Sequence, residues 1–344
     1  MIAAPLRSAR RATGRAQMSD VADLAGVSTA TVSRVLHNPA LVSDALRERV
    51  NRAVGKLGYM PNRMAGGLAA ARTRTVGVIV PSLINSFFAA TIEAMAECFE
   101  ANGYQLMLGH SDYSSEREEA LVESFLSWSP AAMVLTGQHH SRATLKRLVG
   151  ADLPVVEMWE LGDNPFDSLV GFSHRAAGQS AAQHLLARGR SNIAFIGAAL
   201  DHDRRAHQRR AGFLDACAAA NHPPAGEHCI GVRASVEAGG GAFAALLHAH
   251  PRVDGVFFSN DALMLGALFE CQRRGLSVPA DIALIGFGDL DFAACSVPTL
   301  STIRPPRMEI GRAVADHLLQ RFSDPQCGAA TIDLGFELIA REST

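Results

Sequence analysis

VADLAGVSTATVSRVL, residues 21–36, carries two short apolar sets: Val21, Leu24 and Ala25, then Val32, Val35 and Leu36. Spacings of three and four residues place each set on one face of a helix. Gly26 lies between the sets, where a tight turn has no room for a Cβ, and Ser28 offers the side-chain oxygen that caps a second helix. The pattern is helix-turn-helix. A third helix follows, capped by Ser43, with Leu46, Val50, Ala53 and Leu57 on one stripe and Gly58 at its end. The three apolar faces can close on one another, which leaves Thr29, Ala30, Ser33 and Arg34 of the second helix outside. These are small, hydrogen-bonding or cationic groups able to enter a DNA major groove. A small helical bundle that binds protein would show the same pattern.

Charge separates the two readings. Residues 1–75 hold 12 Lys+Arg against 4 Asp+Glu, a balance of +8, so the rest of the chain, at 20 against 30, carries −10 of the net −2. A basic head on an acidic body is the layout expected when only the head meets phosphate. At 344 residues and 48% hydrophobic content the chain suits two or three soluble domains. Six cysteines (Cys98, Cys217, Cys229, Cys271, Cys295, Cys327) lie far apart with no CxxC pair, and read as reduced core residues of a cytoplasmic protein. No apolar run is long enough to span a membrane. Arg7, Arg10, Arg11 and Arg15 with no acid make residues 1–17 either a disordered basic arm or a misplaced start, with Met18 as the alternative.

From Thr75 onward the pattern changes. Apolar runs rich in β-formers alternate with helical stretches: VGVIV (76–80), YQLML (104–108), AAMVL (131–135), PVVEM (154–158), NIAFIG (192–197), DGVFFS (254–259) and IALIGF (282–287). Buried strands separated by helices mean right-handed βαβ units and parallel sheets, an α/β body. So many strands divide better between two sheets than into one, with a break near residues 160–180 and a return near IRPP (303–306). Two such lobes leave a cleft bordered by the carboxyl ends of strands, where such folds bind small molecules. Between head and body lies PNRMAGGLAAARTRT (61–75), a helix over about 62–70 only if something holds it, since Gly66 and Gly67 together cost about 2 kcal/mol relative to alanine. On composition alone it is a flexible linker.

VADLAGVSTATVSRVL, GYMPNRMAGGL and RTVGVIVPSLINSFF resemble the head, hinge and first body strand of the LacI/GalR family of bacterial transcription regulators, and the likeness runs from Met18 to Arg341. Within that family the body is most similar to gluconate-type repressors, through GYQLMLGH, ESFLSW, DGVFFSND, FECQRRGLSVP and IDLGFEL. The resemblance implies a helix-turn-helix domain over 18–61, a hinge helix and linker over 62–74, and a periplasmic-binding-protein-like body over 75–344. In that body the first lobe would take about 75–172 plus 303–330, and the second about 173–302 plus 331–344. It puts Thr29, Ala30 and Arg34 at base-reading positions, Arg34 suited to guanine and Ala30 to methyl contact, with Ser28 and Ser33 toward phosphate. Leu68 aligns with a leucine that wedges into the minor groove. The hinge thereby becomes a helix formed on DNA by a dimer, although the double glycine stands where the family more often has Arg-Ser.

For the cleft the resemblance implies Arg209 and Arg205 on the loop DHDRRAHQRRAGF, Asn260 at a strand end, and Asn85 and Phe88 on the first-lobe wall. Trp159 and Glu160 follow PVVEM as floor or rim. The family commonly has aspartates where Trp159 and Gly288 stand, and Asp289 replaces the second. An arginine fork suits a carboxylate, so a sugar acid such as gluconate is the expected effector, with a neutral sugar or a purine as alternatives. The expected molecule is a cytoplasmic homodimer or tetramer on a palindromic operator, with no membrane partner, cofactor or catalytic role. HDRRAH (202–207) and HAH (248–250) lack the carboxylate and spacing of a metal site. No GxSxG, P-loop or HExxH occurs. A transporter's solute-binding protein would share the two-lobed body but has no use for residues 18–75.

Overall fold

The structure is a computed structural model that describes residues 16–37, 39–60, 73–83, 87–324 and 326–344. Leu68 and Asn85, and the hinge over 61–72, lie outside them. The chain divides into two compact units that part after Thr73.

In the amino-terminal unit α1 (Met18–Ala25), α2 (Thr29–His37) and α3 (Asp44–Leu57) form a three-helix head. Gly26 and Gly58 close α1 and α3 in the left-handed region, at φ 61° and 59°. Val21, Ala22, Ala25, Val32, Val35, Val50 and Ala53 fill its core. Leu24 is not among them. It is 41% exposed, because Ala22 rather than Leu24 completes the buried face of α1.

The body, residues 74–344, holds two six-stranded sheets. The first runs β11-β5-β4-β3-β1-β2, with β1 (Thr75–Val80), β2 (Gln105–His110), β3 (Ala132–Thr136), β4 (Val155–Met158), β5 (Ser168–Gly171) and β11 (Thr331–Asp333), every described pairing parallel. The second runs β12-β10-β9-β8-β6-β7, with β6 (Ile193–Ala198), β7 (Gly226–Ile230), β8 (Gly255–Phe258), β9 (Ala283–Phe287), β10 (Ser301–Arg304) and β12 (Glu337–Ile339), parallel except for β12 on β10. Central strands such as Val76–Val80 and Ile193–Ile196 are buried on both faces, as helices on either side of a parallel sheet require.

Each lobe is wrapped by its own helices: α4 (Ala89–Ala101), α5 (Ser115–Leu126), α6 (Arg142–Ala151) and α11 (Arg307–Ser323) for the first, and α7 (His174–Ala187), α8 (Arg204–Ala219), α9 (Val236–Ala249) and α10 (Asp261–Arg274) for the second. The chain crosses between sheets three times: after β5, after β10 and after β11. The last crossing falls later than the family resemblance implies. Residues 331–333, expected in the second lobe, pair with β5 in the first, Thr331 opposite Leu169, and only β12 belongs to the second sheet.

The cysteines differ from their expected place. Only Cys217 and Cys271 are buried, whereas Cys229 and Cys295 are exposed; none of the six is in a disulfide. Among the described residues no helix is long and apolar enough to cross a membrane.

Candidate functional site

Two surfaces carry chemistry. On the head, Ser28, Thr29, Ala30 and Arg34 are exposed and Ser33 is half-buried, while Val32 and Val35 of the same helix point into the core. The Ser28 hydroxyl accepts the Thr31 amide at 3.1 Å and shares a 2.9 Å bond with the Thr31 hydroxyl, capping α2. Small side chains at the start of α2 and one arginine a turn further on leave its backbone free to approach a flat, polar partner closely.

On the body, the strand ends facing the cleft share a backbone feature. Asp112 and Tyr113 after β2, Trp159 after β4, Ala199 after β6 and Asp289 after β9 all have positive φ, between 48° and 70°. Non-glycine residues in that region cost about 1–3 kcal/mol each, and such strain gathers at binding sites. Here it turns the chain sharply as it leaves each strand, and after β2 it brings Tyr113 into the cleft.

The helix α8 supplies the cations. Asp203 caps its amino end by accepting the Ala206 amide at 3.1 Å. Arg205 and Arg209 stand four residues apart and so on one face, 9% and 4% exposed. Arg209 donates to His174 Nδ1 and to the Ser259 carbonyl, each at 2.9 Å, and its guanidinium lies 3.9 Å from the centre of the Phe287 ring. Its Nε has no partner, and no carboxylate pairs with it among the described residues. Burial therefore pulls its pKa down to about 10, with Arg205 acting in the same direction and Asp203 against it. His174 is held neutral by burial and by Arg209. Its Nε2–H donates to the Trp159 carbonyl at 2.7 Å, which leaves Nδ1 as the acceptor that Arg209 needs.

This placement depends on two glycines where α7 and α8 cross. A Cβ at Gly178 would stand 1.9 Å from the Arg209 carbonyl oxygen, and one at Gly212 would stand 1.9 Å from that of Arg175. Only bare backbone lets α8 lie this close and bring Arg209 against His174.

Across from the arginines stands an aromatic wall. Phe87 and Phe88 meet edge to face at 5.5 Å, and behind them the fully buried Trp159 lies 4.9 Å from Phe87 and 5.0 Å from Phe88. Tyr113 reaches in from the end of β2 beside Arg205, and burial, with help from Asp203, pushes its phenol up to about 12. Asn260 caps α10 through Oδ1, 3.2 Å from the Leu263 amide, so its Nδ2 is the atom left to face the cavity. The inner pocket is thus a neutral phenol, a neutral imidazole, Asp203 and two arginines. Its formal charge is +1.

Of the residues singled out in the sequence, the structure brings Phe88, Arg205, Arg209 and Asn260 together here, with Trp159 behind the wall. Glu160 is 2% exposed, takes a 2.5 Å hydrogen bond from Gln208, and faces a neighbouring void. Asp289 lines neither void: its carboxylate is held by Arg304 at 2.6 Å and Arg341 at 2.8 Å, so it does not replace a ligand-binding aspartate. Phe87, Tyr113, His174 and Asp203 went unnoticed in the sequence. Their only signal was position, immediately after a strand or before a helix.

Residues 17–62 match the description "Bacterial regulatory proteins, lacI family", and residues 182–344 match a periplasmic binding protein-like domain. Over 335 residues, 97% of each chain, the sequence is 42% identical to the HTH-type transcriptional regulator GntR of Pseudomonas aeruginosa. A LacI family transcriptional regulator from Silicibacter pomeroyi superposes with a TM-score of 0.90 at 34% identity, over 95% of this chain and 99% of that one. The lac repressor dimer bound to operator and the anti-inducer ONPF superposes with a TM-score of 0.84 at 25% identity, over 96% and 99%.

Proposed function

This chain belongs to the lacI family of bacterial regulatory proteins, and from that premise we propose a repressor whose grip on a palindromic operator is set by a sugar acid bound between the lobes. It is a DNA-binding transcriptional regulator and not an enzyme. Regulators of this kind bind operator DNA and small-molecule effectors.

The observation that carries the effector reading is Arg209, a buried arginine without a carboxylate partner. Leaving a buried charge unpaired is costly, and a site that does so is built for a ligand of the opposite sign. The surplus of one positive charge over Asp203 calls for a monoanion. Tyr113 and Asn260 supply hydrogen-bonding groups for hydroxyls, and the aromatic wall covers the less polar edge of a carbon chain. A gluconate-like aldonate meets all three requirements, and the likeness to a regulator named GntR agrees with it. A purine or neutral hexose would leave Arg209 unbalanced.

On the head, Thr29, Ala30 and Arg34 read bases while Ser28 and Ser33 face phosphates. Residues 62–74, with Leu68, form the hinge that couples head to body. The chain acts in the cytoplasm as a homodimer or a tetramer, two heads on a two-fold axis meeting two half-sites. Effector binding shifts the lobes and so the hinge. Thermal-shift screening of the full chain against aldonates, hexoses and purines tests the effector, since a ligand at 100 times its Kd adds about 2.7 kcal/mol. An aldonate is expected to raise the melting temperature; stabilisation by a hexose or purine with indifference to every aldonate would refute the assignment.

A further inference from the structure

The cleft contains two voids rather than one. The inner void, about 50 Å³, is walled by Phe87, Phe88, His174, Arg209 and Asn260. The outer, about 430 Å³, is polar and includes Thr136, Gln138, His139, Glu160, His202 and Arg204. Among the described residues, only Tyr113 and Arg205 border both. They come from opposite lobes, Tyr113 from the turn after β2 and Arg205 from α8, and stand side by side along the inner void. A water needs about 10–15 Å³ in this measure, so the inner void holds about four waters and cannot hold a six-carbon acid. The outer void is large enough, yet the buried Arg209 lines only the inner one.

We propose that Tyr113 and Arg205 form a cross-lobe partition that parts on binding, so that the acid seats its carboxylate at Arg209 in the inner chamber and its hydroxylated tail in the outer. The inference rests on the sugar-acid reading and assigns Tyr113 as a further effector-binding and specificity-determining residue. A guanidinium can only donate, whereas the neutral Tyr113 hydroxyl can both donate and accept, so beside Arg205 it is the group able to give a hydrogen bond to a ligand oxygen. The turn that carries it is built for the task. Asp112 and Tyr113 both adopt left-handed φ, 57° and 59°, which directs consecutive side chains to different partners. Tyr113 goes inward, while Asp112 is held by Arg117 at 2.8 Å and pairs across the cleft with Arg233 of the second lobe. Gln138, Thr136 and His139 offer the outer chamber neutral donors and acceptors, a set suited to hydroxyl groups. An acid of three carbons would reach only Arg209; a longer one spans both chambers and links the lobes.

The test is calorimetric titration of the full chain with D-glycerate and D-gluconate, on the wild type, Tyr113→Phe and His139→Trp, each checked for folding by circular dichroism. Gluconate is expected to bind the wild type at least tenfold more tightly than glycerate. Tyr113→Phe should weaken gluconate about tenfold, the loss of one hydrogen bond to ligand. His139→Trp, which fills the outer chamber from a half-exposed position, should remove the advantage of gluconate while leaving glycerate binding unchanged. Gluconate binding that is indifferent to both substitutions overturns the partition and leaves the acid reading standing. If the wild type binds neither acid, the acid reading has failed and the partition falls with it.

Discussion

Replacing Arg209 by methionine should leave the effector-free protein as stable as before, or slightly more so, while abolishing acid binding. Burial holds this arginine near pKa 10 instead of 12.5. At about 1.4 kcal/mol per unit, keeping it charged costs the effector-free fold roughly 3 kcal/mol. The sign follows from linkage: for a base with a depressed pKa the cost is fully present below the folded value, and is relieved only as pH rises from about 10 toward 12.5. At pH 7 the whole cost applies. Against it stand the hydrogen bonds to His174 and Ser259, about 1 kcal/mol each, while methionine keeps contact with the Phe287 ring. The two sides are of similar size, so Arg209→Met should move the melting temperature by no more than about 2–4 °C for a body of this size. Calorimetric unfolding of the full chain with and without D-gluconate measures both halves. A loss of more than about 2 kcal/mol would make Arg209 a structural residue, and undiminished gluconate stabilisation would remove it from the site.

Gly212→Ala forces α7 and α8 apart, and overpacking of this kind costs about 1–3 kcal/mol; urea denaturation should show it, together with weaker effector binding, because the same crossing positions Arg209. Arg34→Ala should cost about 1–3 kcal/mol in operator affinity and relax the base preference at a single position, measurable by anisotropy against operator variants. His140 provides a pH signature. Its Nδ1 lies 2.7 Å from Glu118, and its Nε2 lies 3.1 Å from the Gly137 carbonyl and 3.3 Å from Glu157. Burial alone would lower its pKa, but hydrogen bonds to the two glutamates raise it to about 9. Its stabilisation is therefore complete below the unfolded value of 6.5 and lost as pH rises through 9. Denaturation at pH 6 and pH 9 should differ by roughly 3 kcal/mol and converge in His140→Gln.

The seven apolar runs in the body sequence mark seven of its twelve strands. The other five were invisible for physical reasons; β5, SLVG, is fully buried but only four residues long. β7, GEHCI, is an edge strand whose residues are half-buried or exposed, so it has no apolar run; β11 and β12 are three-residue edge strands, TID and ELI, with no room for a periodic signal. β10 passed for a connection because four residues, STIR, precede two prolines. Arg205 and Arg209 were legible only through the family resemblance, which set them on a loop; both stand on the helix α8. Tyr113 and His174 were not, since each acquires its role from a partner supplied by the opposite lobe or another helix. Asp289 shows the converse failure. Its sequence position suggested a ligand contact, but β10 and the carboxyl-terminal segment bring Arg304 and Arg341 to neutralise it.

The central claim is that the cleft and the helix-turn-helix are one switch. Its most direct test is fluorescence anisotropy of the full chain on a palindromic operator selected from a random pool, titrated with D-gluconate, alongside calorimetry of gluconate with and without operator. The account predicts that gluconate and operator change each other's affinity by the same factor, about 5–150-fold for couplings of ordinary size. Operator binding that is unchanged at saturating gluconate, in a protein that calorimetry shows to hold the acid, would contradict it.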